Sequence, residues 1–195
     1  EPDGDNIPNA LAVIDPKRPD CLYPFKHLSA VGLVAKLAQA IFGVVPEEDL
    51  DLVAMGTVAD VVSLRCENRI FVKLGLPLIE KSQKHGVRAL LEIAKIAGKK
   101  MKPYYIGFVL GPRLNASGRM GSANVSLDLL LSEDPMEAAA LAQTLEVHNQ
   151  TRQKMQSTVV EEALGIIEGA EVKEELMQFY QKKLEETLKG RGQLK

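Results

Sequence analysis

The chain has 195 residues, with 24 Lys and Arg against 26 Asp and Glu, and 46% of its residues are hydrophobic. This balance is typical of a soluble, globular protein with one domain, or one domain and an appendage. A net charge of −2 and the lack of tryptophan exclude a uniformly basic protein that coats nucleic acid, but they do not exclude a local basic site. Two cysteines are too few for a disulfide scaffold and indicate a reducing cytoplasm. No apolar run approaches the ~18 residues of a membrane span, so no membrane association is expected.

One strand and a series of helices are predicted in the first half of the chain. The apolar run at 10–14, closed by Asp15-Pro16, predicts a buried strand. Apolar residues at helical spacing then predict helices at 28–42, which Gly43 ends, at 46–62, and at about 68–82 and 86–97. The part of the second helix at 50–62 is apolar on nearly every side, and we expect it to be buried.

A long helix is predicted in the second half. After a short helix at about 123–131, Asp134 suits a helix cap and Pro135 suits the first helical position. Nothing breaks the helix before Gly165, and the pattern runs to about Glu168, with His148 on the packed stripe as a helix-packing residue. The last stretch, 171–195, is a mixed-charge pattern typical of a further helix.

The segment between these halves carries the first candidate site. Glycines at 107, 111, 118 and 121 predict a turn, on which Arg113 and Arg119 flank Asn115. Two arginines on such a turn suit bidentate recognition of phosphate, although a tight turn with arginines in solvent explains them equally well. Residues 93–127 hold six basic side chains and no acidic one, as a phosphate-binding face requires.

Asp60 is the second candidate. It lies within the apolar run at 52–62, so we expect its carboxylate to be desolvated. Because an ionised, unpaired carboxylate is too costly to bury, Asp60 should pair with a base, accept backbone donors or bind a metal ion. The histidines and cysteines are too widely spaced to form a metal-ligand pair of their own.

Several strings of the sequence, taken together, resemble those of one family. The RecJ exonucleases, bacterial enzymes specific for single-stranded DNA within the DHH phosphoesterase superfamily, have similar strings in the same order. In this chain they are residues 23–32 (YPFKHLSAVG), 56–62 (GTVADVV), 67–69 (ENR), 106–119 (IGFVLGPRLNASGR) and 149–153 (NQTRQ).

The resemblance implies an α/β fold, a parallel sheet flanked by helices, of which this chain holds a mostly helical part with one strand at 10–14. It divides the chain into the C-terminal part of a DHH phosphoesterase domain (1–132), a long connecting helix (133–168), and a tail that does not match or is a remnant of the DHHA1 domain (169–195). It also implies hydrolysis of single-stranded DNA from its 5′ end, in recombination and repair, with two Mn²⁺ (or Mg²⁺) ions bound. Asp60 is then a metal ligand, and Arg113, Asn115 and Arg119 are the residues expected to bind nucleic acid.

The chain also departs from the family pattern. The Asp-His-His triplet of the family typically precedes Glu-Pro, the pair with which this chain begins, so we expect the triplet and earlier ligands to be missing and this segment alone to be inactive and without its metal ions. Two alternatives stay open: a DHH phosphodiesterase for oligonucleotides or cyclic dinucleotides, and a non-catalytic replication scaffold. The partners implied are single-stranded DNA, single-strand-binding protein and a helicase, in the cytoplasm.

Overall fold

The computed structural model describes residues 9–120, 123–169 and Phe179, and most of them are helical. The chain forms two compact units, Glu1–Asn149 and Gln150–Lys195. The helices are α1 (Ala30–Phe42), α2 (Leu50–Ala59), α3 (Cys66–Glu80), α4 (His85–Ile93), the single turn α5 (Pro103–Tyr105), α6 (Gly111–Met120), α7 (Asn124–Leu131) and α8 (Pro135–Gly169). A 3₁₀ turn, Glu47–Asp49, precedes α2, and a π-helix, Ile106–Leu110, joins α5 to α6.

The ends of α1 follow from two residues. The hydroxyl of Ser29 accepts a hydrogen bond from the N–H of Gly32 at 3.1 Å, which caps the first turn. Gly43 adopts φ +77° and donates its N–H to the carbonyl of Gln39, so the helix ends at a residue that tolerates the left-handed conformation. The prediction of a helix closed by Gly43 is therefore confirmed.

The core of the first unit is built around α2. Its side chains at 50, 53, 54, 55 and 57 are buried, although the helix ends at Ala59, earlier than predicted. A Cβ on Gly75 would overlap with the Leu50 carbonyl and the Ala54 side chain, so only glycine lets α3 approach α2 this closely. Helices α4, α6, α7 and the start of α8 complete the larger core, in which Ile79, Leu90, Ile106, Leu110, Leu129 and Leu145 are fully buried.

The predicted strand at 10–14 is wrong. These residues form no strand, nor do any others within the described ranges, and Leu11 lies entirely in solvent. A strand needs hydrogen-bonded neighbours, and the part of the chain that the structure describes supplies none.

The predicted glycine-rich turn is also wrong, because residues 106–120 are helical throughout. Each glycine weakens a helix by about 1 kcal/mol relative to alanine, yet tertiary packing overrides that preference. Leu110 and Ala116 are fully buried, and Gly111 lies against Ala59 of α2, where a Cβ would be 3.5 Å from the Ala59 Cβ. The glycines thus lie inside helices, and Gly111 contacts the end of α2.

The long helix is confirmed as α8, which begins at Pro135 as predicted. Asp134 accepts a hydrogen bond from the N–H of Met136 at 2.8 Å, and Ala138, Ala142 and Leu145 bury one face in the first unit. His148 is half-buried on this helix, and its Nδ1 makes no hydrogen bond with the described residues. In the second unit the structure describes residues 150–169 and Phe179, so the predicted helix at 171–195 falls outside the described residues apart from that one position. Among the helices described, none combines the length and apolar character needed to cross a membrane.

Candidate metal and nucleic-acid site

Asp60 forms the C-terminal cap of α2, and its carboxylate is exposed, so the expectation of a desolvated group is wrong. Its backbone N–H donates to the carbonyl of Gly56 at 3.0 Å, which fixes the residue on the helix. Its carboxylate makes no hydrogen bond or ion pair with any described residue. Because an acid at the carbonyl end of a helix faces the negative pole of the helix dipole, a cation bound there would relieve an unfavourable interaction.

A complete metal centre is not present among these residues. Two-ion hydrolytic sites require several convergent ligands, whereas the described ranges contain no group of three or more His, Cys, Asp or Glu side chains that would hold an ion. Asp60 therefore fits the role of one ligand and not of a whole site.

The structure places Asp60 close to the start of α6. Gly107 and Gly111 are one helical turn apart and face the last turn of α2, next to Val58 and Ala59 respectively. A side chain on Gly111 would also crowd the carbonyl of Ile106, at 2.9 Å from the added Cβ. The packing of these two glycines therefore brings two widely separated strings of the sequence to one place.

Arg113 is held by the protein itself. Its Nε donates to Glu146 Oε2 at 2.7 Å and its Nη1 donates to the Val109 carbonyl at 2.8 Å. Both charged side chains of this pair are only 16% exposed. The ion pair ties α6 to α8, so at least two of the donors of Arg113 serve the fold.

Asn115 and Arg119 have a different environment, because both are exposed. They are four residues apart on α6, so they share one face of the helix, whereas Arg113 and Arg119 point about 120° apart. The structure thus groups Asn115 with Arg119 and separates both from Arg113. Ser117, between them, is buried and shares a hydrogen bond of 2.7 Å with Ser126 of α7.

Sequence reasoning missed a buried polar network that joins three helices. Asn68 of α3 donates to the carbonyls of His27 and Ser63 and accepts from the N–H of Ser29, while the Ser29 and Thr57 hydroxyls are 2.8 Å apart. All of its hydrogen-bonding side chains are essentially inaccessible to solvent. Asn68, Ser29 and Thr57 all lie in strings that resemble the family, and the structure gives those positions a role in packing.

It also missed the carboxylate that α2 does bury. Asp51 is 2% exposed and accepts hydrogen bonds from Lys84 Nζ and from Ser82 Oγ, both at 2.9 Å. Lys84 also donates to the carbonyl of Glu48, so it bridges α2 to the start of α4. The apolar run at 50–62 contains both Asp51 and Asp60, and its local pattern does not distinguish the buried acid from the exposed one.

A third cluster links the segment before α1 to α3. The Tyr23 hydroxyl donates to the Glu67 carboxylate, with O–O distances of 2.6 and 2.7 Å, and Lys36 Nζ lies 3.2 Å from the same carboxylate. Burial and the hydrogen bond to Glu67 raise the pKa of Tyr23. Burial opposes the charge of Lys36, but the hydrogen bond and charge of Glu67 raise its pKa overall. The cluster borders an open groove of about 500 Å³, whose lining residues include Tyr23 and Lys36.

No protein-family model matches the chain. The chain is 41% identical over 165 residues to the single-stranded-DNA-specific exonuclease RecJ of Bacillus subtilis (strain 168), which is 85% of this chain and 21% of that protein. It is 38% identical over 184 residues to the enzyme of the same name from Escherichia coli (strain K12), which is 86% of this chain and 32% of that protein. The chain thus spans between a fifth and a third of the length of these curated relatives.

Solved structures give the same result. The crystal structure of RecJ in complex with Mn²⁺ from Thermus thermophilus matches with a TM-score of 0.69 and 35% identity, over 83% of this chain and 25% of that one. A crystal structure of exonuclease RecJ bound to manganese matches with a TM-score of 0.62 and 37% identity, over 70% of this chain and 34% of that one. In sequence and in fold, this chain is therefore similar to one segment of the RecJ single-stranded-DNA-specific exonucleases.

Proposed function

We propose that the chain is a segment of a metal-dependent exonuclease that hydrolyses single-stranded DNA in the 5′→3′ direction, in recombination and repair. The similarity to RecJ enzymes over 85% of the chain carries this proposal, since it includes the strings around Asp60 and Arg113. The fold of the whole enzyme is then the α/β fold of the DHH phosphoesterases, a parallel sheet flanked by helices. Residues 1–132 belong to that domain, 133–168 form the connecting helix, and 169–195 are a non-matching tail or a remnant of the DHHA1 domain.

Within that enzyme, Asp60 supplies one carboxylate ligand to a pair of Mn²⁺ or Mg²⁺ ions. Its exposure, its lack of a partner among the described residues and its place at the carbonyl end of α2 all support this role. The related structures were solved with Mn²⁺ or Mg²⁺ bound. The remaining ligands come from other parts of the enzyme, because the described residues offer no further cluster.

The nucleic-acid strand is bound in part by α6. Asn115 and Arg119 present exposed polar groups on one face of this helix, which suits contact with the sugar–phosphate backbone. Arg113 donates hydrogen bonds from Nε and Nη1 to groups of the protein, which leaves Nη2 to contact a phosphate of the strand that Asn115 and Arg119 bind. The enzyme acts in the cytoplasm, with single-strand-binding protein and a helicase as its partners.

An exonuclease assay on the full-length protein that contains this segment tests the proposal. With Mn²⁺, the enzyme should release nucleotides from the 5′ end of single-stranded DNA and leave blunt duplex DNA intact, and a chelator should stop the reaction. The 195-residue chain alone, in the same assay, should release nothing. Hydrolysis of cyclic dinucleotides without hydrolysis of long single strands would contradict the proposal, as would full activity with the metal removed.

A further inference from the structure

An exposed pair of aromatic rings stands beside the candidate site. Tyr104 is 61% exposed and Phe108 is 73% exposed, and their rings stack with centroids 5.1 Å apart at an interplanar angle of 28°. The Tyr104 and Tyr105 ring centroids are 5.8 Å apart in a T-shaped arrangement. Large aromatic surface in water is unfavourable, so such a patch is typical of a contact surface.

The backbone beneath these rings is firmly held. Ile106 and Leu110 are buried to 1% or less exposure, and Gly107 and Gly111 pack against the end of α2. Tyr104 and Phe108 are four residues apart and project from the opposite, exposed side of this segment. Tyr104 lies in the turn α5, and Phe108 lies in the π-helix that follows, a rare element that occurs frequently at functional sites. The ring pair therefore lies on a backbone whose other side is buried in the core.

The loop before Tyr104 presents its lysines to solvent. Met101 is buried at 4% exposure and its N–H donates to Glu80 Oε1 at 2.6 Å, so its neighbours Lys100 and Lys102 lie in solvent. Lys99 is exposed as well. All three lysines are within five residues of Tyr104, in a stretch of sequence that contains no acid. The aromatic pair and the positive charge are thus adjacent.

We infer that Tyr104 and Phe108 stack with bases of single-stranded DNA, while the loop of Lys99, Lys100 and Lys102 contacts the phosphates. Aromatic platforms bordered by basic side chains bind single strands because unpaired bases expose their flat faces, which a duplex hides. Stacking tolerates every base, as an enzyme that degrades a strand of any sequence requires. This inference rests on the proposed function, and it adds a site that the strings around Asp60 and Arg113 do not assign.

The test measures binding by the full-length protein to a short labelled oligothymidylate and to an abasic strand of the same length, with a chelator present to prevent hydrolysis. Loss of one stacked base corresponds to a factor of about 5 to 160 in affinity, so Tyr104→Ala and Phe108→Ala should each weaken oligothymidylate binding within that range. Binding of the abasic strand should change little in either variant, and Tyr104→Phe should bind like the unaltered protein. Phe42→Ala is the matched control, because Phe42 is equally exposed, at 72%, but lies at the end of α1.

The lysines give an independent readout. Lys100→Ala with Lys102→Ala should weaken binding of both strands alike and flatten the log–log salt dependence by roughly 0.7 for each lost phosphate contact. If the alanine variants do not fold, photocrosslinking of the unaltered protein to a strand with 5-iodouracil decides the question, with crosslinks expected in residues 103–110. Crosslinks confined to other segments would overturn the inference.

The two proposals fail in different ways. Unchanged oligothymidylate binding by the folded alanine variants, while the unaltered enzyme still degrades single strands, overturns the stacking site alone. An equal loss on the abasic strand overturns it too, because a base is then not involved. If the unaltered protein neither binds nor degrades single-stranded DNA, the proposed function and the stacking site both fall.

Discussion

Arg113 and Glu146 form an ion pair of 2.7 Å between α6 and α8, with both side chains 16% exposed. A charged hydrogen bond in such a setting contributes about 1.5–3 kcal/mol, more than an exposed pair does. The pair therefore connects a residue of the family string at 106–119 to the long helix within the first unit. Of the two basic residues of α6, Arg113 therefore supports the fold, whereas Arg119 lies in solvent.

The first prediction concerns this difference. Arg113→Ala should lower the free energy of unfolding of the chain by about 1.5–3 kcal/mol, because it removes the charged hydrogen bonds from Arg113 to the Glu146 carboxylate and to the Val109 carbonyl. Arg119→Ala, an exposed position on the same helix, should change it by less than about 0.5 kcal/mol. Urea unfolding followed by circular dichroism measures both. Equal stability of the two variants would show that the ion pair does not support the fold.

The second prediction concerns Asp60 in the full-length enzyme. Asp60→Ala should lower turnover on single-stranded DNA by orders of magnitude, because a metal ligand is lost, and should leave the melting temperature nearly unchanged, because the carboxylate contacts no described residue. Single-turnover rates and thermal melts on the same variant separate the two effects. A destabilised variant with full activity would refute the ligand assignment.

The third prediction concerns Asp51, the acid that α2 buries. Asp51→Ala should destabilise the chain by about 1.5–3 kcal/mol, since Lys84 and Ser82 lose their shared acceptor. The matched control is Asp49→Ala, because Asp49 lies 3.4 Å from the same Lys84 but its side chain is 48% exposed. That control should cost less than about 1 kcal/mol in urea unfolding. A larger loss of stability in Asp49→Ala than in Asp51→Ala would contradict the conclusion that Asp51 is the main acceptor for Lys84.

The fourth prediction concerns alkaline pH. Folding raises the pKa values of Tyr23 and Lys36 above their ordinary 10.0 and 10.5. A group whose pKa is raised by folding binds its proton more tightly in the native state, so its stabilisation is complete below the ordinary pKa and is lost as the pH rises through the raised one. The free energy of unfolding should therefore fall as the pH rises above about 10.

The matched variant for this prediction is Tyr23→Phe with Lys36→Met, which removes both protons and keeps most of the packing. It should be less stable than the unaltered chain near neutral pH, and the difference should shrink above about pH 10, as urea midpoints at a series of pH values will show. If the difference in stability between the two proteins grows with pH, Tyr23 and Lys36 do not hold their protons more tightly in the folded state.

The sequence by itself determined the helices whose signals are local. The stop at Gly43 and the start of α8 at Asp134-Pro135 are formed by residues within a few positions of each other, so spacing alone predicts them. The strings that resemble the RecJ family likewise identified its relatives without any coordinates. Those strings also singled out Asp60, the residue now proposed as a ligand.

Only the tertiary structure decided which acid is buried, which arginine is paired and what the glycines do. Asp51 and Asp60 lie in one apolar run, but Lys84 and Ser82, from a distant part of the sequence, make the first a buried acceptor, while the end of α2 leaves the second in solvent. The glycines at 107 and 111 predict a turn because glycine has a low intrinsic preference for the helix. Their packing against α2 depends on contacts between residues about fifty positions apart, and a local pattern carries no record of such contacts.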